Sequence, residues 1–475
     1  MTTVTPVSNT PTTTAQKHRP GATLAVLVGA YLMTGVDSTV VNVALSKIQH
    51  ELHFSPTGLS WVLNSYTLAF GGLLLLGSRI GDLLGRRRTF AAGVLLFTLA
   101  SLLGGLAGSG GLLLAARALQ GAGAALAAPN VLALLATNFA EGPARNRALS
   151  IYSASAGIGA SLGLVLGGMV TTWADWRWSL LINVPVGIAV LLTAHRFVVE
   201  PPRRTGRFDA LGALTATACA TSLVYGLIRA AAQGWGDGQA LVSFVLAAVL
   251  LGCFLLVELR ARQPVVPLRL LADRNRAGAY VNLLLLPAGM FGAFFFLTQF
   301  VQVVLGYSPL RAGFAFLPLT LAMFATVRLV PRVLRRFGPR QVLTVGAALM
   351  LLGDLWLTRL SPTSDYLGAL FGPMLLLGIG VGLSFMPMSS LILAGVGSEQ
   401  AGAAAGLLQT MQMTGATVGL AVLVSVSGTV SRHGTGGARL LLVRGLDAAF
   451  AAGAWFIVAA LAVAVLVIRQ PRQGD

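Results

Sequence analysis

The stretch Tyr31-Leu-Met-Thr-Gly-Val-Asp37-Ser-Thr-Val-Val-Asn42-Val-Ala-Leu45 holds one acid in the middle of an otherwise uncharged run that extends from Ala22 to Ser46. About 20 apolar residues in helical form cross a hydrocarbon core of roughly 30 Å. The run therefore reads as a membrane helix, and its acid lies deep inside it. An ionisable group at that depth is costly, faces protein or water rather than lipid, and marks an ion or substrate pathway. Burial favours the neutral acid, so Asp37 can exchange a proton near neutral pH where access to it alternates. A structural hydrogen bond to a neighbouring helix is the other reading of the same residue.

Working outward, runs of this kind fill the chain. Of its 475 residues, 55% are hydrophobic and 10% charged, against about 25% charged in soluble domains. Too few polar side chains exist to clothe a water-facing protein of this length. Apolar runs fall at about 22–46, 57–80, 89–108, 112–136, 147–170, 178–198, 209–230, 239–259, 277–304, 309–330, 339–359, 367–395, 398–426 and 444–469. The sequence predicts fourteen helices, since lipid leaves an exposed strand edge unsatisfied and no strand-like alternation occurs. Residues 1–20, rich in Thr and Pro, read as a disordered tail. The first run is too long for a signal-peptide core and lacks a small-residue cleavage site, so it is expected to be retained.

The formal charge of +18 resembles that of a nucleic-acid binder, but the basic residues lie between apolar runs. Twenty-four of the thirty-three fall in loops on the side of the N-terminal tail and eight opposite, with Arg117 inside a helix. That bias places both termini in the cytoplasm. The short loops hold no G-x-x-x-x-G-K-[ST] phosphate loop, which argues against ATP-driven transport by this chain alone. The only cysteines, Cys219 and Cys253, and the five histidines form no metal or catalytic constellation, so no cofactor, no metal and no enzyme activity are expected.

Arg117, in Ala115-Ala-Arg117-Ala-Leu-Gln120-Gly121-Ala-Gly123, is the second charge inside a span. At about 1.5 Å per residue, Asp37 lies roughly 20 Å from the cytoplasmic entry of span 1, and Arg117 about 9 Å below the outer entry of span 4. Both sit at one level of a core about 30 Å thick, which allows a direct or water-mediated contact; an arginine bonded only to backbone carbonyls is the other reading. Asp354 also lies in an apolar run, but Arg359 follows closely and it reads as a helix-end carboxylate.

After span 2 comes Gly77-Ser-Arg79-Ile-Gly81-Asp82-Leu-Leu-Gly85-Arg86-Arg87-Arg88. Its glycines permit a tight turn, and an acid among arginines can hold a charge-assisted bond across a cytoplasmic contact. A fainter copy, Arg335-Arg336-Phe-Gly338-Pro339-Arg340, aligns Gly338 with Gly85 and puts Arg335 opposite Asp82, an internal repeat of the kind transporters carry. Span 5 has Gly159, Gly163 and Gly167 on one stripe, suited to close helix packing or to a sliding seam.

Together these segments resemble the fourteen-spanner drug:proton antiporter family of the major facilitator superfamily. Asp37, Thr39, Asn42, Ala44 and Leu45 match the family's first-helix pattern, with Ser46 where proline is common. Asp82, Gly85 and Arg86 match its loop after helix 2; Arg117, Gln120, Gly121 and Gly123 match helix 4. The glycines of span 5 match the antiporter motif, with Leu164 in place of a proline. Trp176-Arg-Trp178-Ser-Leu-Leu-Ile-Asn183-Val-Pro185-Val-Gly187 resembles the entry to helix 6. The resemblance implies an all-α membrane protein with two six-helix bundles, 21–198 and 277–469, an inserted pair with its linkers at 199–276, and a cytoplasmic tail at 470–475. It further implies proton coupling through Asp37, Arg117 and Gln120, and a cavity lined by Asn42, Gln299, Gln302, Phe385, Met386, Gln409 and Gln412. A latch and packing set of Gly77, Asp82, Gly85, Arg86, Gly159, Gly163 and Gly167 completes the implied site.

The expected activity is export of a small amphipathic drug or antibiotic by a monomer in a bacterial cytoplasmic membrane, against protons and without nucleic acid. Proton-coupled uptake or export of an endogenous metabolite stays open, because fold alone does not set direction.

Overall fold

The computed structural model describes residues 19–55, 57–140, 143–201, 210–260, 272–394, 396, 398–435 and 437–469. Most of the expected N-terminal tail, the C-terminal tail and much of the 199–276 linkers lie outside these residues. Within them the chain forms fifteen α-helices and no strand. Eleven helices are long and apolar enough to cross a bilayer, or twelve when the bent stretch Gly58–Leu84 counts as one span.

The first group comprises α1 (Pro20–Glu51), α2 (Trp61–Leu84), α3 (Arg86–Gly105), α4 (Gly110–Asn138), α5 (Pro143–Trp173), α6 (Trp178–Leu181) and α7 (Asn183–Phe197). Local chemistry sets several of these boundaries. Pro20 starts α1, where its missing N–H would be unpaired anyway. The side chain of Ser109 caps α4 by accepting from the Leu112 N–H. Gly85, at φ 110°, turns the chain between α2 and α3, a conformation open to glycine. The span expected at 178–198 is interrupted at Ile182, with Pro185 in the first turn of α7.

Next come α8 (Ala210–Gln233) and α9 (Gly238–Arg260), which pack on each other while α8 also leans on α2. The last group is α10 (Arg274–Gln299), followed by a π-turn at Phe300–Val304, then α11 (Pro309–Ala315), α12 (Leu317–Leu357), a second π-turn at Leu367–Phe371, α13 (Gly372–Leu393), α14 (Ser398–His433) and α15 (Ala438–Leu466). The sequence separates a span at 309–330 from one at 339–359. Instead, helix runs through the arginines between them, Arg332, Arg335 and Arg336, and breaks only at Gly338, φ 75°. Arginine is a good helix former, so loss of hydropathy there ends a span without ending the helix.

The two groups are built alike. In the first, a Cβ on Gly93 would lie 2.7 Å from the Gly123 carbonyl oxygen, and one on Gly121 would lie 2.3 Å from that of Tyr66. In the second, the matching distances are 2.9 Å from Gly346 to Gly380 and 2.2 Å from Gly378 to Leu319. Gly93 and Gly346 each stand eight residues after the positive-φ glycines Gly85 and Gly338. The α3–α4 seam is thus repeated as the α12–α13 seam, with backbones in contact at the same register. Arg87 and Arg340 repeat too: each donates to a carbonyl at the C-terminal end of the last helix of its group, Val198 at 3.2 Å and Val465 at 2.6 Å.

The groups meet at the end of the molecule that holds the C-terminus of α1. There Leu310 N–H donates to Thr172 Oγ1 at 3.1 Å, and Gln302 Nε2 donates to the Val43 carbonyl at 2.8 Å. Ser46 bonds to Gln302 as well. A Cβ on Gly168 would lie 2.7 Å from Leu310 Cα, and one on Gly313 would lie 2.5 Å from the Leu164 carbonyl oxygen. Laterally, α2 meets α14 through Thr417 Oγ1, which donates to Thr67 Oγ1 at 2.7 Å.

Candidate functional site

Asp37 is fully buried, and its carboxylate is the hub of a polar network inside the first group of helices. Arg117 Nη1, from α4, donates to its Oδ2 at 2.6 Å. Gln120 Nε2, one turn on, donates to Oδ1 at 3.0 Å, and Asn183 Nδ2, at the start of α7, donates to the same oxygen at 2.7 Å. Arg117 itself is spread over further acceptors: Nη1 reaches Gln120 Oε1 at 2.9 Å and Nε reaches the Val62 carbonyl at 3.1 Å. Its guanidinium lies 4.5 Å from the centroid of the Tyr66 ring. Gln120 Nε2 also donates to Ser101 Oγ at 2.7 Å.

Three side-chain donors from two other helices converge on the carboxylate, one charged and two amides. Two charges taken out of water cost several kcal/mol each unless paired and hydrogen-bonded, and here they are both. The contact expected from matched depth is direct. Sequence reasoning named Asp37, Arg117 and Gln120, but gave no role to Asn183, Ser101 or Tyr66. Asn183 is legible in hindsight as an amide inside an apolar run, whereas Ser101 and Tyr66 carry no local signature.

The other expected residues divide. Asp82 pairs with Arg86, four residues on, so this pair closes within one group of helices. Across the same turn, Glu200 accepts from the N–H groups of Arg87 at 3.0 Å and Arg88 at 3.2 Å, capping α3; it was not anticipated. Gly77 packs on α4, where a Cβ would lie 2.1 Å from the Ala125 carbonyl oxygen. Gly159, Gly163 and Gly167 lay α5 against α1, opposite the carbonyls of Leu32, Val36 and Val40.

Among the expected cavity residues, Gln302 is engaged at the closed end with Ser46 and Val43. Asn42 is buried and its Oδ1 lacks a partner. Gln299, Gln409 and Gln412 are half-buried. Phe385 packs on the main apolar cluster, while Met386, beside it on α13, is 41% exposed. Asp354 does sit at a helix end, in the last turn of α12, where its carbonyl accepts from the Thr358 N–H, but its side chain is 1% exposed and neither carboxyl oxygen has a hydrogen-bond partner. Arg359 lies past the end of α12, at Leu357, and does not reach it.

Two groups of membrane-length helices related by an internal repeat are the build of a secondary transporter, and one of them holds a buried ion pair. The chain belongs to the major facilitator superfamily, whose profile matches residues 27–420. It is 42% identical over 452 residues to the cephamycin export protein CmcT of Amycolatopsis lactamdurans, covering 94% of this chain and 92% of that one. To the puromycin resistance protein pur8 of Streptomyces alboniger it is 42% identical over 455 residues, covering 92% and 90%. Similarity to the tetracenomycin C resistance and export protein of Streptomyces glaucescens is 34% over 420 residues, 88% of this chain and 77% of that one. Solved structures share the fold at low identity. One is a bacterial homologue of the human lysosomal transporter Spinster, with TM-score 0.65, 16% identity and 96% and 100% of the two chains covered. Another is a peptide transporter, POT, in complex with sulfate, with TM-score 0.64, 15% identity and 95% and 96% covered.

Proposed function

We propose that this chain exports a small amphipathic drug or antibiotic across a bacterial cytoplasmic membrane in exchange for protons, by alternating access. The observation that carries the proton half of this reading is the sealed Asp37–Arg117 pair with its amide donors. The names of relatives about 40% identical over nearly the whole chain support the drug half.

In this reading fourteen helices cross the bilayer. The 49-residue stretch Pro309–Leu357 is about twice the length one crossing needs and turns at Gly338. The 31-residue α5, with Gly58–Leu84 as one bent span, supplies the rest. Both termini are cytoplasmic by the bias of the basic residues. The closed end then faces outward, the protein is inward-facing, and it acts as a monomer.

In the closed-out state the deprotonated Asp37 holds Arg117, Gln120 and Asn183. A proton arriving from outside, in the opposite state, removes the negative charge and weakens the charge-assisted bonds. Arg117 then turns to its remaining acceptors, Gln120 and the Val62 carbonyl. Substrate release and return follow, and loss of the proton to the cytoplasm restores the pair. Asn42, Gln299, Phe385, Met386, Gln409 and Gln412 contribute amide and soft apolar surface to the substrate path, which suits compounds of varied shape. Asp82 and Arg86 brace the cytoplasmic turn.

Everted vesicles given an inward proton gradient test this reading with ethidium as probe. Accumulation that collapses with an uncoupler, and is lost in Asp37→Asn while the protein still inserts, is the expected result. Full coupled accumulation by Asp37→Asn removes Asp37 from the role.

A further inference from the structure

The repeat relating the two groups of helices locates a second position of interest. Ser101, which ties into the Asp37 network through Gln120, stands sixteen residues after Gly85; Asp354 stands sixteen after Gly338. Gln120 and Arg117 precede Gly121 as Leu377 and Met374 precede Gly378, and Tyr66 corresponds to Leu319. At these four positions the second group is therefore apolar apart from one carboxyl. On its far side Gly453 of α15 leaves room for it, since a Cβ there would lie 2.8 Å from Asp354 Oδ2.

No described group compensates this carboxyl. Of the elements packed against α12, α13 carries no titratable side chain. α15 carries Arg439, Arg444 and Asp447, all nearer its N-terminal end than Gly453. α5 carries Arg145, Arg147 and Tyr152, and α11 carries Arg311. Neither oxygen of Asp354 is hydrogen-bonded to any of them. An isolated buried carboxylate is too costly to persist, so the side chain holds its proton in this state. One carboxyl without further oxygen ligands does not make a cation site, whereas a proton needs nothing more.

We propose that Asp354 is a second proton-binding site of the transport cycle, the counterpart in the second group of helices of the Asp37 network in the first. This rests on the antiport reading above. The acid keeps its proton while the two groups are closed on each other at the outer end, as here. When that end opens in the opposite state and water reaches the last turn of α12, the O–H bond breaks, the proton passes to water and the carboxylate remains until the next reprotonation.

The test is a proton count in proteoliposomes, with ethidium as probe and the membrane potential clamped at zero. Each coupled proton multiplies the limiting accumulation ratio about tenfold per pH unit of gradient. The wild type is expected to reach a ratio about tenfold higher than Asp354→Asn or Asp354→Ser, the latter recreating the residue of the first group. Infrared spectra of the protein at pH 9, where the other carboxyls are ionised, add a readout independent of transport: a protonated-carboxyl band present in wild type and in Asp37→Asn, and missing in Asp354→Asn. Wild-type accumulation by both Asp354 variants, or an unchanged band in Asp354→Asn, overturns the proposal. Accumulation by wild type that ignores the gradient instead sinks the antiport reading itself.

Discussion

Replacing Arg117 with methionine isolates what the buried pair contributes. Side-chain exposures of Arg117 and Asp37 are 1% and 0%, so solvent does not dilute the effect. The substitution removes the 2.6 Å bond to Asp37 and the 3.1 Å bond to the Val62 carbonyl, leaving the carboxylate with two amide donors. Breaking a buried pair from one side costs about 3–5 kcal/mol. Neutralising the partner as well should relieve it: Asp37→Asn in the Arg117→Met background leaves no unpaired charge and is expected to recover most of the deficit. Thermal denaturation of the four proteins of this cycle in one detergent is the assay. At roughly 1–2 °C per kcal/mol for a chain of this length, Arg117→Met should melt on the order of 5 °C lower and the double variant near wild type. A single variant melting with wild type, or a double variant worse than both singles combined, refutes the reasoning.

Three further outcomes follow from packing and caps. Gly77→Ala, whose Cβ would meet the Ala125 carbonyl oxygen at 2.1 Å, should cost about 1–3 kcal/mol by overpacking, whereas Gly108→Ala, with nothing within 4 Å, should melt like wild type; equal melting temperatures for the two would contradict the α2–α4 contact. Gly168→Leu should wedge α5 from α11 at Leu310 and raise maleimide labelling of a Leu164→Cys reporter, which is buried at that seam opposite Gly313, severalfold; unchanged labelling would mean this end is held closed elsewhere. Glu200→Gln weakens the anionic cap on α3 and should cost about 1 kcal/mol, read as a lower melting temperature that high salt, which already screens the cap, makes smaller.

Much of this architecture is legible in the sequence because lipid penalises charge so heavily. Asp37 and Arg117 announce themselves as the charged residues in the depths of two spans, and their rise per residue puts them at one level. Gly85 and Gly338 are legible for a different reason, since both take positive φ and the motif around them repeats. What escaped is of three kinds. Asn183, Ser101 and Tyr66 are uncharged, and such residues inside spans look like packing until the helices are assembled. Asp354 is at a helix end as its distance from Arg359 suggests, but that its carboxyl turns inward against Gly453 is decided by packing and not by sequence spacing. That Gln302 is held by Ser46 and Val43 at the closed end has no sequence signature, because which end is closed is a property of the assembled state.

Cargo and a proton on Asp37 exclude each other on the cytoplasmic side, so cargo binding draws the proton off whatever fraction of Asp37 still carries one. Proton release into weakly buffered solution, followed with a pH indicator as ethidium is mixed with purified protein in detergent, tests it most directly. Release by wild type and none above background by Asp37→Asn is the predicted result; equal release by the two proteins would contradict it.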